Sequence, residues 1–178
     1  LKVQAFINNQ AIPSRNFTTI HDPGELSSVV GYAAVCTAED VDRAAKAAHQ
    51  AFLNWRKFDT AERIEKVMLA AEILNNSVYD LAPLLVREHG GLLREAEMDF
   101  KGGYANFQYY ARITEQFMRS EEKEDETSWI CVSKNPKGVV AAIVPWNMPV
   151  VLTMMKLAPA LMTGNTVIVK PSPNAPLA

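Results

Sequence analysis

The apolar residues of this chain change their spacing twice. Through residues 1–36 they come in short clusters between turn formers. "QAFINNQAI" alternates loosely around Asn8-Asn9 and predicts a hairpin, and "HDPGE" at 21–25 has the Asp-Pro-Gly chemistry of a tight turn. The period then lengthens. "TAED" at 37–40 predicts a capping box, with Thr37 as N-cap and Asp40 in place of the usual Glu. Behind it Val41, Ala44, Ala45, Ala48 and Phe52 share one helical face. A second helix from Asp59 or Thr60 buries Ile64, Val67, Met68, Ala71 and Leu74, and a third runs from about Ser77 to Glu88 and stops at Gly90-Gly91. A fourth carries Phe100, Tyr104, Phe107, Tyr110, Ala111 and Phe117, and is expected to break or loosen at Gly102-Gly103.

"SEEKEDETS" at 120–128 reads as an exposed charged loop, "WICVS" at 129–133 as a strand, and Asn135-Pro136-Lys137-Gly138 as a turn. Beyond these the pattern changes again. "VVAAIV" at 139–144 is apolar without alternation, as in a parallel strand buried on both faces. Pro149 opens a helix over 150–163, kinked at Pro159 and ended by Gly164, and "TVIVK" at 166–170 is a second strand. Together these form one β-α-β unit, so the fold class is α/β.

Composition narrows the function classes. The 178 residues are 48% hydrophobic and 21% charged, which suits a packed core, and the net charge of -2 leaves no electrostatic footprint for nucleic acid or an anionic membrane. Gly138–Lys156, the longest weakly charged stretch, is too interrupted by proline and polar residues for a membrane span. Cys36 and Cys131 lie far apart and outside any metal-type spacing, so neither a disulfide framework nor a metal site is expected. With no signal-peptide pattern at "LKVQAFINNQ", a reducing cytoplasmic setting is the expectation; the missing initiator Met points to a trimmed start.

The chemistry concentrates in "PWNMP", residues 145–149, after the first strand of the β-α-β unit and before its helix. Open α/β sheets bind ligands at the carboxyl edge of their strands, and a helix N-terminus offers free N–H groups there. An Asn side-chain amide in this loop can donate to a developing oxyanion, while flanking prolines restrict the backbone that aims it. Lys170 ends the second strand on the same edge. Taken alone, the residues leave alternatives open: Asn147 reads equally as an N-cap or turn residue, Trp146 as core filler, and Lys170 as a solvated strand end.

At "KGVVAAIVPWNMP", "KLAPALMTGNTVIVKPS" and "PLA" the chain resembles the aldehyde dehydrogenase superfamily. The helical part agrees through "TAEDVDRAAKAAHQAFLNWRKF", the "ER" at 62–63, "LVREHGG" and "REAEMD". The resemblance implies the N-terminal part of an aldehyde dehydrogenase-like fold: helices plus the start of a parallel Rossmann-like sheet, with an oligomerisation hairpin. It divides the chain into strands and helices over 1–119, a charged turn and oligomerisation-type strand over 120–137, and the first, incomplete β-α-β unit over 138–178. By the same resemblance Asn147 supplies an oxyanion-hole amide, and Lys156 lies near the active site, linked in some members to proton movement. Ile143, Val144, Pro145 and Trp146 line the cofactor cleft largely through main-chain atoms, and Lys170 contacts the adenosine ribose. Met148, Leu152 and Met155 line an aldehyde tunnel, with ordinary core packing as their alternative.

Family members that prefer NAD usually carry Glu three residues after that lysine; here the position is Pro173. Proline neither accepts bonds from ribose hydroxyls nor repels a 2′-phosphate, so NAD and NADP both stay open. Ser172 stands beside the ribose or phosphate, or is a plain turn serine. The family's nucleophilic cysteine and water-activating glutamate match no residue of the chain, and Cys36 and Cys131 read as structural thiols. The resemblance therefore implies about the first third of an enzyme oxidising a small-molecule aldehyde to a carboxylic acid, homodimeric or homotetrameric when complete. Charge and hydropathy leave no membrane or nucleic-acid partner expected, and the chain alone is expected to be inactive. A fragment of a longer enzyme, a natural truncation and a module that assembles with a separate remainder all fit. A non-catalytic scaffold of the same fold and a coenzyme A-acylating relative are the alternative functions.

Overall fold

The computed structural model describes residues 1–178. The first segment builds two small sheets. β1 (Lys2–Val3) runs parallel to β5 (Glu25–Ala34), which pairs antiparallel with β4 (Phe17–Asp22). Between them β2 (Ala5–Ile7) and β3 (Gln10–Ile12) form the expected hairpin. Asn8 and Asn9 turn it with positive φ of 51° and 60°, the mirror-image turn that matches strand twist and that Asn tolerates. At the β4–β5 turn the Gly24 N–H donates to Asp22 Oδ1 at 2.9 Å.

Helix α1 (Ala38–Trp55) starts at the predicted capping box: Asp40 N–H donates to Thr37 Oγ1 at 3.2 Å and Thr37 N–H donates to Asp40 Oδ2 at 2.9 Å. Phe52 is buried and the alanines are half-buried, but Val41 in the first turn stays exposed. α2 (Thr60–Asn76) and α3 (Val78–His89) follow, and α3 ends on Gly90 at φ 82°, a conformation that only glycine adopts without cost.

α4 (Leu93–Met118) is one uninterrupted helix of 26 residues, which corrects the expected break at Gly102-Gly103. Of the two glycines, Gly103 serves packing. A Cβ on Gly103 would collide with the Met154 side chain, and one on Gly102 would lie 3.5 Å from Val151 Cγ2. Without a side chain at Gly103, α4 lies close against the next helix. Of the apolar residues α4 carries, Phe117 is exposed near its end, with the Lys134 ammonium 5.4 Å from its ring.

The charged segment is also corrected. Glu121–Glu124 forms strand β6, paired antiparallel with β7 (Trp129–Val132), although every residue of both strands is exposed. Asp125 closes the turn by accepting from Thr127 N–H at 2.9 Å and Ser128 N–H at 2.8 Å. Those bonds hold its carboxyl below the usual range.

β8 (Val139–Ile143), α5 (Pro149–Met162) and β9 (Thr166–Lys170) make the β-α-β unit, with parallel strands in register from Val139↔Thr166 to Ile143↔Lys170. Pro159 lies within α5 without ending it. Burial of β8 falls short of expectation: Ala142 is fully buried, yet Ile143 is 67% exposed, because two strands cover little of each other. Both α1 and α5 pack on this sheet, and α5 in turn packs on α2 and α4. The main core lies among α2, α3, α4 and α5, around Phe100, Leu85, Met154 and Met162. A smaller cluster of Ile20, Val30 and Leu177 is joined by Leu84 of α3. No helix is long and apolar enough to cross a membrane.

Candidate active site

The loop 144–148 leaves the carboxyl end of β8 and enters α5 at Pro149, whose fixed φ suits a first helical turn and whose missing N–H needs no partner there. Val144 is buried and its N–H donates to Lys170 O at 3.2 Å, which ties the loop to the end of β9. Pro145, Trp146, Asn147 and Met148 are exposed. The N-cap of α5 is Met148, with no side-chain capping bond, so the capping alternative for Asn147 does not hold. No intramolecular hydrogen bond engages the Asn147 amide, which leaves both its donors and its acceptor for another molecule. Trp146 is not core filler either. It is 52% exposed, and its ring centroid lies 5.8 Å from that of His89 at the end of α3.

A residue that the hydrophobic pattern passed over organises this entrance. Asp99 of α4 is 5% exposed, and its Oδ2 and Oδ1 accept from the N–H groups of Val150 and Val151, each at 3.0 Å. The free N–H groups expected to meet a ligand are thus partly taken by a carboxylate from the neighbouring helix. Burial pushes the Asp99 carboxyl up, against the lowering by its two backbone donors and by nearby His89. The other end of α5 is held by the opposite charge. Arg63 of α2, 5% exposed, donates from Nε to Met162 O at 3.0 Å, from Nη2 to Thr60 Oγ1 at 3.0 Å, and from Nη1 to Phe58 O. A carboxylate at the N-terminus and a guanidinium at the C-terminus both complement the helix dipole, by up to about 2 kcal/mol each when partly buried. The sequence signal for Arg63 was the "ER" pair itself, on a helix otherwise read for its apolar stripe. For Asp99 it was an acid next to Phe100 on the buried face.

Two further polar residues tie the unit together. Asn165 Oδ1 accepts from Lys137 N–H at 2.7 Å and Gly138 N–H at 3.0 Å, joining the entry of β8 to that of β9. Glu88 of α3, 4% exposed, accepts from the consecutive N–H groups of Leu177 and Ala178 at 2.8 and 2.9 Å.

Of the remaining candidates, Lys170 ends β9 on the same edge. Lys170 is exposed and pairs in register with exposed Ile143; its ammonium donates only to the adjacent Pro171 O, at 3.1 Å. This leaves a free cation where the two strands end, which fits an anionic or polyhydroxyl ligand. Ser172 is buried and its Oγ accepts from Asn174 N–H at 3.2 Å, so it acts in the local turn, while Pro173 is exposed. Met148, Leu152 and Met155 follow one another at helical spacing. Met148 and Met155 are 48% and 44% exposed and Leu152 is half-buried, whereas the neighbouring Met154 fills the core. Lys156 is half-buried on α5. Cys36 precedes α1 and Cys131 lies in β7; both are free and exposed, and burial, with Asp40 nearby, pushes the Cys36 thiol up.

Known proteins resemble this chain in sequence and fold. The family model of the aldehyde dehydrogenase family matches residues 12–178. The chain is 36% identical over 173 residues to an alpha-ketoglutaric semialdehyde dehydrogenase of Bacillus subtilis (strain 168), covering 94% of this chain and 35% of that protein. It is 33% identical over 179 residues to a D-glyceraldehyde dehydrogenase (NADP(+)) of Thermoplasma acidophilum, covering 99% of this chain and 36% of that one. A salicylaldehyde dehydrogenase from Pseudomonas putida G7, solved with salicylaldehyde, superposes with a TM-score of 0.92 at 26% identity, over 99% of this chain and 37% of its own. The chain thus spans about a third of the length of the relatives it matches. On a family model that matches residues 12–178, this chain belongs to the aldehyde dehydrogenase family.

Proposed function

We propose that this chain contributes the oxyanion donor and part of the cofactor cleft to an NAD(P)-dependent aldehyde dehydrogenase that oxidises an aldehyde to a carboxylic acid. The observation that carries the reading is Asn147: an exposed amide with no partner in the fold, at the carboxyl edge of β8, on a loop fixed at both ends. A cysteine thiolate from outside these residues adds to the aldehyde carbon, and the Asn147 side-chain N–H donates to the carbonyl oxygen as it gains charge in the thiohemiacetal. The raised Cys36 thiol is a poor nucleophile at neutral pH, and Cys131 lies on the separate β6–β7 hairpin, so neither is assigned this role. The thioester that follows is hydrolysed with a glutamate that also lies outside the chain.

When bound, NAD or NADP accepts the hydride. Main-chain groups of Ile143, Val144, Pro145 and Trp146 would flank it, with Lys170 against the ribose. Pro173 offers no carboxylate to exclude a 2′-phosphate, and the NADP(+) preference in the name of the Thermoplasma acidophilum relative agrees with tolerance of NADP. Met148, Leu152 and Met155 would give the aldehyde an apolar approach, and Lys156 would assist proton movement. The exposed β6–β7 hairpin would join copies into a homodimer or homotetramer. The setting proposed is cytoplasmic.

Replacement of Asn147 tests the reading. In the full-length enzyme Asn147→Ala should slow a single turnover by about 10²-fold, the scale of one oxyanion donor. A single-turnover rate equal to wild type would overturn the role.

A further inference from the structure

The fold holds Asn147 in place through a residue that does not touch it. The loop that carries Asn147 is tied to β9 at its entry, and it leaves into the first turn of α5, which is pinned by Asp99: Val150 and Val151 donate to its two oxygens at 3.0 Å each. Asp99 reaches them because α4 lies close against α5 at Gly103, four residues further along α4, where no side chain intervenes. It is 5% exposed and forms no salt bridge, so its carboxylate is committed to these two amides. We propose that Asp99 is a positioning residue for Asn147: the paired bonds from Val150 and Val151 set the start of α5, and with it the direction in which the Asn147 amide points. The inference rests on the reading of Asn147 given above.

A misplacement of about 1 Å in a catalytic group costs on the order of 10²-fold in rate. In the full-length enzyme Asp99→Asn should therefore lower the single-turnover rate at least about 10-fold, and the amides of Val150 and Val151 should exchange hydrogen faster. The decisive comparison is a double-mutant cycle with Asn147→Ala. If Asp99 acts through Asn147, the double variant turns over no more slowly than Asn147→Ala alone. If Asp99 merely supports the fold, the two losses multiply, and that outcome overturns the proposal, as does a wild-type rate in Asp99→Asn. Should Asp99→Asn fail to fold, Asp99→Ser, which keeps one short acceptor, enters the same cycle with the same two outcomes. Failure of the Asn147 reading is distinguishable: there the Asn147→Ala single variant would itself react at the wild-type rate.

Discussion

Asp99 and Glu88 share one design, a carboxylate on the buried side of a helix that accepts two consecutive backbone N–H groups from a later segment. Burial raises the pKa of both despite those donors. A carboxyl whose folded pKa lies above its unfolded value binds protons more strongly in the folded state. Its contribution to stability is complete below the unfolded pKa and is lost as pH rises through the folded one. For Glu88 the window opens at the ordinary value of 4.5 and extends upward. Urea unfolding measured at successive pH values above that point should show wild type losing stability more steeply than Glu88→Gln; parallel curves would contradict the assignment. Gly103 works by the opposite means, through the absence of a side chain. Gly103→Ala drives a Cβ into the Met154 side chain. It should cost about 1–3 kcal/mol in chemical denaturation, the usual range for an overpacked core.

Among the elements, those with local chemical signatures matched their prediction and those decided by packing did not. The Thr37–Asp40 box started α1 where expected, and Thr37→Ala should remove about 1 kcal/mol of stability. Gly90 stopped α3 as predicted, through a positive φ. By contrast, Gly102-Gly103 looked like a helix breaker because glycine disfavours helices in isolation; burial of Phe100 and Phe107 against α5 outweighs about 1 kcal/mol per glycine. The charge run around "EEKE" predicts an exposed loop, and only its partner β7 makes it a strand. Asp125 closes that hairpin, so Asp125→Ala should speed amide exchange in β6 and β7 while leaving the helices unchanged.

At the scale of the whole molecule, α5 is the axis: a buried acid at its start, a buried guanidinium at its end, α4 and α2 against it and the β8–β9 sheet beside it. The sheet is narrow, and Ile143, Val169 and Trp146 remain exposed along its carboxyl edge. These residues hold Asn147 and Lys170, while the two cysteines lie elsewhere, Cys36 before α1 and Cys131 in β7, so the 178-residue chain mixed with aldehyde and NAD or NADP should form no reduced cofactor. Reduced cofactor absorbance above the enzyme-free control would contradict that.

Sequence alone determined what depends on neighbours along the chain. Turn residues placed the two N-terminal hairpins, caps and terminators bounded three of the helices, and apolar runs around "PWN" outlined the β-α-β unit and its loop. Tertiary structure decided what depends on residues far apart. Asp99 and Val150, or Arg63 and Met162, gave no local signal of their pairing, because a lone acid or base on a helix has the same pattern whether it faces water or another helix terminus. Asn147 shows the division most directly. Its type and place in the loop were legible, but capping would turn its Oδ1 toward the helix amides whereas oxyanion stabilisation aims its N–H at a ligand. Only the fold, by making Met148 the N-cap and giving the first-turn amides to Asp99, left the Asn147 side chain free.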